Sequence, residues 1–308
     1  MGLTPAAGHP NYSGTFIPEI WSSRLLVKFY EATVLAAISN TDYEGEIKKH
    51  GDKVNIRQTP DIVIRDYQKA ETLKIQRPEA GIVELDIDKG KYFNFIVEDV
   101  DKFQSDIKIM DDWSRDASEQ MKIEIDKDVL QVVYADADIH NKGAAAGLKT
   151  GAFNLGVAGT PVELTKANIL DFIVDLGTVL DEQSVPEDRR WIVLPPIFCG
   201  MIKKSELKDA SLAGDGTSIL RNGRLGMIDR FTLYSSNLLY SALDGSDLCF
   251  HMMAGHPSAI SFAAQITNTE TLRAESTFGN LVRGLNVYGY KVVKPQSLCD
   301  LYATKGAA

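Results

Sequence analysis

The sequence predicts an α+β protein in which an extended β-hairpin and a very long helix precede a compact α/β domain. Residues 53–97 alternate apolar and polar side chains with period two, which predicts the hairpin. No glycine or proline stands between Gly90 and Gly143, which predicts the helix. From residue 160 onward helical and strand patterns alternate, which predicts the α/β domain. With 308 residues, 44% of them hydrophobic, the chain can bury a sizeable core.

The composition argues against several classes of protein. The chain has 33 Lys plus Arg against 42 Asp plus Glu, which gives a formal net charge of -9. This is the wrong sign for a protein that binds the phosphate backbone of nucleic acid. Three distant cysteines without a C-x-x-C pair argue against a disulfide framework or a zinc knuckle. No run approaches the roughly 18 apolar residues of a membrane span, so we expect no membrane association.

Residues 1–52 are predicted to form an N-terminal arm followed by a helix. Residues 1–15 are mostly small residues, glycine and proline, which cannot offset the entropy of their own ordering without a partner. From Phe16 onward apolar residues recur every three or four positions, as on one helix face, and Pro18 suits the first turn. That face consists of Ile17, Ile20, Trp21, Leu25, Phe29, Val34, Leu35 and Ile38.

Residues 53–97 are predicted to form an extended hairpin loop and further strands. The alternating apolar residues are Val54 and Ile56, Ile62 and Ile64, Leu73 and Ile75, Val83, Leu85 and Ile87, and Phe93, Phe95 and Val97. Residues 57–91 carry as many basic as acidic side chains and few large apolar ones near the middle, so the tip cannot pack a core and must project. We predict contacts with other subunits at nine charged residues of this segment. They are Arg65, Asp66, Lys69, Glu71, Lys74, Arg77, Glu84, Asp86 and Asp88.

Glu84, Asp86 and Asp88 share one face of a predicted strand and stand about 7 Å apart. Such a row of like charges needs cations opposite it. Three interpretations remain open, namely a solvated face, a basic surface on an adjacent subunit and a calcium site. The calcium site ranks last, because the row lacks the turn that wraps ligands around the ion.

Residues 98–159 are predicted to form a spine helix and a flexible Gly/Ala-rich linker. Apolar residues beyond Asp99 repeat with an average near 3.6 positions, and a helix that reaches Ala135 would be about 55 Å long. The stripe lacks the leucine heptads of a coiled coil, so we interpret the helix as a spine for something extended. The stripe consists of Val100, Phe103, Ile107, Met110, Ala117, Met121, Ile125 and Val129.

Residues 160–308 are predicted to form the α/β domain. Thr165 can cap a helix whose apolar face is Ile169, Phe172, Ile173, Leu176, Val179 and Leu180. Pro195 and Pro196 open a short helix that runs through Ile202, and a polar loop follows at 209–218. The predicted strands are Trp191–Leu194, Phe231–Tyr234, Leu248–Met252, Ala259–Ala263 and Leu285–Val293.

Few residues form a pattern that points to catalysis or to a cofactor. The segment Gly143–Thr150 resembles a phosphate-binding loop, but Leu148 stands where such a loop needs its lysine. The five histidines are too scattered for a metal site, so we assign them structural or surface roles. Met252 and Met253 are predicted to be core. We therefore expect no catalytic residue, no cofactor and no metal, although a Ser/His/Asp triad assembled from distant loops stays open.

Three segments resemble one known family. Arg221–Asn237 resembles the segment in which a glycine-containing turn leads to a strand that ends in Ser-Asn, and Gly279–Val293, with its Tyr-Gly before a basic residue, resembles the closing strand. Phe16–Ile56 is similar to the N-terminal arm and first strand. All three are features of the major capsid proteins of tailed bacteriophages, a fold shared with encapsulin shells. The chain departs from the family at Asp229–Phe231, where relatives often have Gly-Phe.

The resemblance implies a domain organisation. Residues 1–52 would be the arm and its helix, and 53–97 the extended loop with strands of a peripheral domain. Residues 98–159 would be the spine helix of that domain with its linker. Residues 160–308 would be the axial domain, from which a strand segment near 255–284 returns to the peripheral domain. The loop, taken as residues 57–91, would lie over a neighbouring subunit.

The resemblance also implies a function. The chain would form pentamers and hexamers of an icosahedral phage head that encloses double-stranded DNA without sequence-specific binding. Its partners would be copies of itself, a separate scaffolding protein, a portal protein and, as a further candidate, a decoration protein. The protein would assemble in the host cytoplasm and reside in the virion capsid. Some relatives crosslink subunits through lysine, for which Lys69 or Lys74 would be donors here.

Two alternatives to a phage head remain open. The first is an encapsulin-like compartment that holds an enzyme cargo. The second is an α/β enzyme whose site lies within residues 160–300.

Overall fold

The fold is described from a computed structural model for residues 31, 33–43, 53–60, 62–69, 72–99, 109–205, 226–275 and 277–306. These residues contain both helices and strands, as the α+β prediction requires. The elements in chain order are α1 (Leu35–Ile38), β1 (Lys53–Arg57), β2 (Ile82–Asp86), β3 (Lys89–Glu98), α2 (Ile109–Leu130), β4 (Val162–Leu164), α3 (Ile169–Glu182), β5 (Arg190–Leu194), α4 (Pro196–Lys204), β6 (Met227–Ile228), β7 (Phe231–Ser235), β8 (Ser241–Asp244), β9 (Asp247–Gly255), β10 (Ile260–Arg273), β11 (Gly279–Val292) and β12 (Leu298–Lys305), with 3-10 helices at Val133–Asp136, Ile139–Asn141 and Pro295–Ser297.

The predicted N-terminal helix lies mostly outside the described residues. Its last part is α1, in which Leu35 and Ile38 are buried as predicted. The predicted loop at 209–218 also lies outside them.

A two-stranded ribbon packs against a three-stranded sheet. Strands β1 and β2 pair antiparallel, and the sheet has the antiparallel order β10-β11-β3. An apolar cluster joins ribbon and sheet through Leu85 and Ile87 of the ribbon side and Ala263 and Val293 of the sheet side. The backbones touch at this junction, since a Cβ on Gly289 would lie 2.0 Å from the carbonyl oxygen of Asp86. Only glycine fits there.

The hairpin loses its regular pairing beyond the ribbon. Residues 58–60, 62–69 and 72–81, here called the hairpin limbs, contain no strand among their described residues. The prediction of strands at Ile62–Ile64 and Leu73–Ile75 is therefore wrong. The alternation is present in the sequence, but no apolar layer from the described residues covers these side chains, and a ladder without a packed face is only marginally stable.

The long helix α2 ends earlier than predicted. Its described part runs from Ile109 to Leu130, not to Ala135, and a 3-10 turn at Val133–Asp136 follows. Val132 and Val133 are β-branched and have weak helix propensity, and the tighter turn buries Val133 completely in the core. Upstream, Ile125 and Val129 are buried, as the predicted stripe requires.

The C-terminal half forms a seven-stranded mixed sheet with helices on both faces. The strand order is β4-β12-β9-β5-β7-β6, and β8 pairs with β9. Alternate side chains of β5 lie on opposite faces of the sheet. Ile192 packs with α3 and α4 on one face, and Trp191 packs with α1 and the end of α2 on the other. All five residues of β5 are buried. This sheet is therefore the centre of the larger core.

Most predicted elements of this half are confirmed. The strands predicted at Trp191–Leu194, Phe231–Tyr234 and Leu248–Met252 are β5, β7 and β9, and Met252 and Met253 are fully buried. Strands β10 and β11 are much longer than predicted. The Thr165 cap is wrong, because α3 starts at Ile169 and the Asn168 side chain instead accepts the Thr165 N–H.

The connection at 143–159 packs onto the core and is not the flexible linker that the sequence suggested. Ala146 and Leu155 are completely buried in the larger cluster. The Glu182 carboxylate accepts the N–H groups of Lys149 (2.7 Å) and Thr150 (3.2 Å). Because these donors already serve a carboxylate, the segment is not a phosphate cradle.

No described helix is long and apolar enough to cross a membrane.

We predict that Arg190→Leu destabilises the fold by about 3 kcal/mol. The Arg190 side chain is completely buried and donates to Asp181 at 2.7 Å and to three backbone carbonyls. Leucine would leave those carbonyls without a donor. Urea unfolding measures the loss, and Lys204→Leu, at an exposed position of α4, is the control. A loss no larger than that of the control would contradict the prediction.

We also predict a pH-dependent effect of Asp126→Asn. The Asp126 carboxylate is 1% exposed and accepts the N–H groups of Val34 (2.9 Å) and Leu35 (2.8 Å), which fixes α1 on α2. Burial raises the pKa of Asp126 above its ordinary 3.8, and the two hydrogen bonds offset this only in part.

The sign of the pH effect follows from the raised pKa. The contribution of this proton to stability is complete below pH 3.8 and is lost as the pH rises through the higher folded-state pKa. Over that window the free energy of unfolding of the wild type should therefore fall relative to that of Asp126→Asn. Urea unfolding across the window tests this, with Asp136→Asn as an exposed control. A difference that does not change with pH would contradict it.

Candidate functional site

The hairpin limbs expose apolar side chains that soluble domains normally bury. Ile64 is 88% exposed and Ile75 is 92% exposed. Ile62, Val63, Tyr67 and Leu73 are exposed as well. A concentrated group of exposed large apolar residues is typical of an interaction surface.

One side chain links the two limbs. The Gln76 amide accepts the Val63 N–H at 3.2 Å and donates to the Val63 carbonyl at 3.1 Å. The Gln76 side chain thus makes two hydrogen bonds between the limbs, where paired strands would make them through their backbones. The limbs enclose a cleft of about 340 Å³ that is lined by Val63, Leu73 and Gln76 among others.

The structure divides the nine predicted contact residues into two groups. Five of them are exposed residues of the limbs and make no ion pair with any other described residue; these are Arg65, Asp66, Lys69, Lys74 and Arg77. Glu71 lies outside the described residues. Glu84, Asp86 and Asp88 lie at the root of the hairpin. The limb charges are thus available for contacts with another molecule.

The acidic row at the root has a cation partner, Lys53, on the same chain. Glu84, Asp86 and Asp88 are exposed on one face, as predicted, while Leu85 and Ile87 are buried on the other. Lys53 lies 2.5 Å from Glu84 and 3.7 Å from Asp86, and the hydrogen bond to Glu84 raises the pKa of Lys53. The sequence analysis missed this pairing, although Lys53 opens the strand that faces the row. Among the described residues no cluster suits a metal ion.

A second cluster fixes the start of β3 on the long helix. The Lys89 ammonium lies 3.1 Å from Asp128 of α2 and 2.7 Å from the Tyr290 hydroxyl. Tyr288 donates to the same Asp128 carboxylate at 3.0 Å. Burial lowers the pKa of Lys89, but its bonds to Tyr290 and Asp128 outweigh burial and raise it. Burial raises the pKa of Tyr288. No sequence pattern predicts this cluster, because its members come from three distant segments.

An aromatic groove lies between β3 and α2. It encloses about 500 Å³ and is lined by Phe93, Phe95, Trp113 and Met121. Phe95 and Trp113 pack edge to face with ring centroids 6.0 Å apart. Acidic residues of α2 stand at its rim, namely Asp116 and Glu124. Trp113 is 44% exposed, so the apolar lining of this groove is only partly covered by the described part of the chain.

The other sheet face carries a smaller cleft of about 350 Å³ beside Tyr92 and Leu285. Its charges are already compensated, because Arg283 and Glu270 form an ion pair at 2.5 Å. This cleft is therefore less suited to binding a charged partner.

The only close His–carboxylate pair among the described residues is structural. His251 lies 2.8 Å from Asp300, and its ring packs against Tyr134 at 3.9 Å and Tyr302 at 4.6 Å. Burial raises the pKa of Asp300. Aromatic rings thus pack against the imidazole, which is consistent with a structural role for this pair. Of the remaining histidines, His256 bonds Ser258 and His140 is exposed, while His9 and His50 lie outside the described residues.

The turn at Asp229 and Arg230 is well formed. Asp229 and Arg230 both have positive φ, 42° and 67°, which suits the two-residue connection between β6 and β7. Arg230 is held there by Asp181 at 2.9 Å and Glu187 at 3.0 Å. Ion pairs thus support this turn, in which two residues other than glycine adopt positive φ.

Comparison with known proteins identifies a single family. A family model described as phage capsid protein matches residues 82–301. No curated protein sequence is similar enough to match.

Solved structures of phage capsids share the fold. A chain from Mycobacterium phage Che8 is 28% identical, with 92% of this chain and 96% of that chain covered at a TM-score of 0.74. The capsid of cyanophage P-SCSP1u is 15% identical, with 99% and 100% covered at a TM-score of 0.72. The capsid of cyanophage Pam1 is 10% identical, with 97% and 99% covered at 0.67. The last two identities show likeness of fold alone.

These matches confirm the resemblance found in the sequence. They also remove the α/β enzyme alternative, because the family is structural. Since the family model spans most of the chain, the protein belongs to the phage capsid protein family and is a structural component of the virion capsid.

Proposed function

We propose that this chain is the major capsid protein that self-assembles into pentamers and hexamers of an icosahedral phage head around double-stranded DNA. The observation that carries the proposal is the state of the hairpin limbs. Their root is buried against the chain's own sheet, whereas Ile64 and Ile75 remain almost fully exposed. Side chains of this kind gain burial only when a further molecule covers them.

The proposed domain organisation follows the predicted boundaries. Residues 1–52 form the arm with its helix, 53–97 the extended loop and peripheral strands, 98–159 the spine helix and its connection, and 160–308 the axial domain. The pairing of β11 with β3 supports a strand segment near 255–284 that returns to the peripheral domain, because it places residues 279–288 in one sheet with residues 89–98.

The proposed partners beyond the chain itself are a separate scaffolding protein, a portal protein and a decoration protein. The net charge of -9 supports the view that packaged DNA is a neighbour and not a specifically bound ligand. Assembly takes place in the host cytoplasm. The contacts with neighbouring subunits involve the charged limb residues together with Glu71 and the acidic row at the root.

The family assignment favours a phage head over the encapsulin-like compartment. Electron microscopy of particles from infected cells distinguishes the two, because a phage head contains DNA and a compartment contains an enzyme cargo. Particles filled with protein cargo and free of DNA would favour the compartment.

We predict that replacing residues 65–77 with a short Gly/Ser link gives a soluble, folded chain that does not form closed shells. The root cluster and both sheets remain, so the fold persists, while the exposed limb contacts are lost. Exposed charge pairs contribute only about 0.2 to 1 kcal/mol each, so assembly depends on many repeated contacts. Size-exclusion chromatography and negative-stain microscopy measure the result. Normal particles from the deletion would refute the role of the limbs.

A further inference from the structure

The turn between β9 and β10 is the point at which the chain passes from one sheet to the other. Strand β9 belongs to the seven-stranded sheet and β10 to the three-stranded sheet. Residues 256–259, here called the joint turn, connect them. The His256 N–H donates to the Ser297 carbonyl at 3.0 Å, and the Ala259 carbonyl accepts the Val293 N–H at 2.8 Å. The joint turn is therefore bonded to the segments that lead out of β11 and into β12.

Asn40 attaches the segment that contains α1 to this turn. Its side-chain amide donates to the Pro257 carbonyl at 2.9 Å and accepts the Ser261 hydroxyl at 2.8 Å. Its backbone donates to the Ile260 carbonyl and accepts the Phe262 N–H, both at 2.9 Å. One residue thus makes four hydrogen bonds to the joint turn and the start of β10.

The other end of the same segment is fixed on the long helix. The buried Asp126 carboxylate of α2 accepts the N–H groups of Val34 and Leu35. Residues 34–40, here called the connector, therefore join the long helix to the joint turn. A change in the joint turn acts on the connector through Asn40.

The His256 side chain holds the joint turn in a form that requires a neutral imidazole. Nδ1 accepts the backbone N–H of Ser258 at 3.2 Å and lies 2.9 Å from the Ser258 hydroxyl. A ring nitrogen that accepts a hydrogen bond carries no proton, so the proton of the neutral ring is on Nε2. Asparagine makes the same bond to the N–H two residues on in an Asx turn, but it does not titrate. Histidine therefore makes this turn sensitive to pH.

Charged residues on other segments act on this imidazole. Asp188 and Arg189 lie in the loop between α3 and β5, Arg190 begins β5, and Lys294 follows β11. Burial lowers the pKa of His256 below its ordinary 6.5, the three cations lower it further, and Asp188 opposes them. Since the folded-state pKa is depressed, the contribution of neutral His256 to stability is complete above pH 6.5 and is lost as the pH falls through the folded-state pKa.

We propose that His256 is a pH-sensitive contact that controls how firmly the connector is attached to the joint turn. An imidazolium carries a proton on Nδ1, so the Ser258 N–H loses its acceptor. Pro257, whose carbonyl binds the Asn40 amide, lies between these two residues, so the turn no longer holds that carbonyl in place. Acid therefore loosens the connector from the joint turn. The inference concerns the single chain and does not depend on the proposed shell function.

Amide hydrogen exchange of the unassembled full-length chain tests the proposal. The reporters are the Asn40 and Phe262 N–H groups, which are bonded across the attachment. After correction for the intrinsic pH dependence of exchange, their rates should rise about fivefold from above pH 6.5 to about pH 5, as the loss of one hydrogen bond predicts. Amides of helix α3 should not change, which shows that the fold persists. Reporter rates that do not rise would overturn the proposal.

Two substitutions at His256 separate this bond from other effects of acid. His256→Asn keeps an acceptor for the Ser258 N–H but cannot be protonated, so exchange should stay low at both pH values. His256→Ala removes the acceptor, so exchange should be high at both. His140→Asn, at an exposed histidine, is the matched control and should keep the wild-type rise. If exchange in His256→Asn rises with acid as much as in the wild type, another group such as Asp126 is responsible and the proposal fails.

The midpoint of the rise gives a second test, in which the His256 side chain is intact. NMR titration of the His256 ring in the wild type should give a pKa below 6.5 that coincides with this midpoint. Asp188→Asn should move both to lower pH, because it leaves the three cations unopposed. A midpoint that differs from the ring pKa, or that does not move in Asp188→Asn, would overturn the proposal even if a His256 variant fails to fold.

Discussion

The structure depends on one apolar junction, at which Leu85 and Ile87 of the hairpin root pack onto Ala263 and Val293 of the sheet. The close approach of Gly289 to the Asp86 carbonyl leaves no room for movement there. Burial at the root therefore fixes the direction in which the hairpin leaves the domain. Beyond Arg57 no described residue supplies such a layer, and the apolar side chains of the limbs form an exposed surface. This contrast between a packed root and an unpacked end is what makes the hairpin suitable for contact with other molecules.

Charged side chains at the root of the hairpin and in its limbs differ in whether they form ion pairs within the chain. At the root, Lys53 stands across the ribbon from Asp86 and close to Glu84, so two of the three carboxylates of the acidic row have a cation partner on the same chain. In the limbs, Lys74 and Arg77 have no such partner among the described residues. Local compensation stabilises the element, and uncompensated charge favours association.

Sequence periodicity predicted the elements that bury a regular face and failed where another rule decided the structure. Helix α3 has a strongly periodic apolar face and strand β5 is a continuous apolar run, and both were found. The limbs have the period of strands but no layer to pack against, so the prediction of strands there was wrong. Strand β12 was missed because Asp300, Tyr302 and Thr304 interrupt its apolar pattern, yet each is buried with a hydrogen-bond partner. The Lys89–Asp128 cluster and the aromatic groove join distant segments, which a single sequence cannot reveal. The projecting, charged hairpin itself was predictable, because its composition cannot form a core.

The long β10–β11 hairpin has a consequence for shape. Its base, with Tyr288 and Val292, belongs to the large core, while its outer part pairs with β3. A register shift between Ala264 and Ile266 lies beside the point at which β3 pairing ends, at Tyr288 and Lys89. Such irregularities bend a strand without breaking it. This irregularity therefore sets the angle at which the outer sheet leaves the core, and β3 follows that angle because it pairs with β11 only beyond the bend.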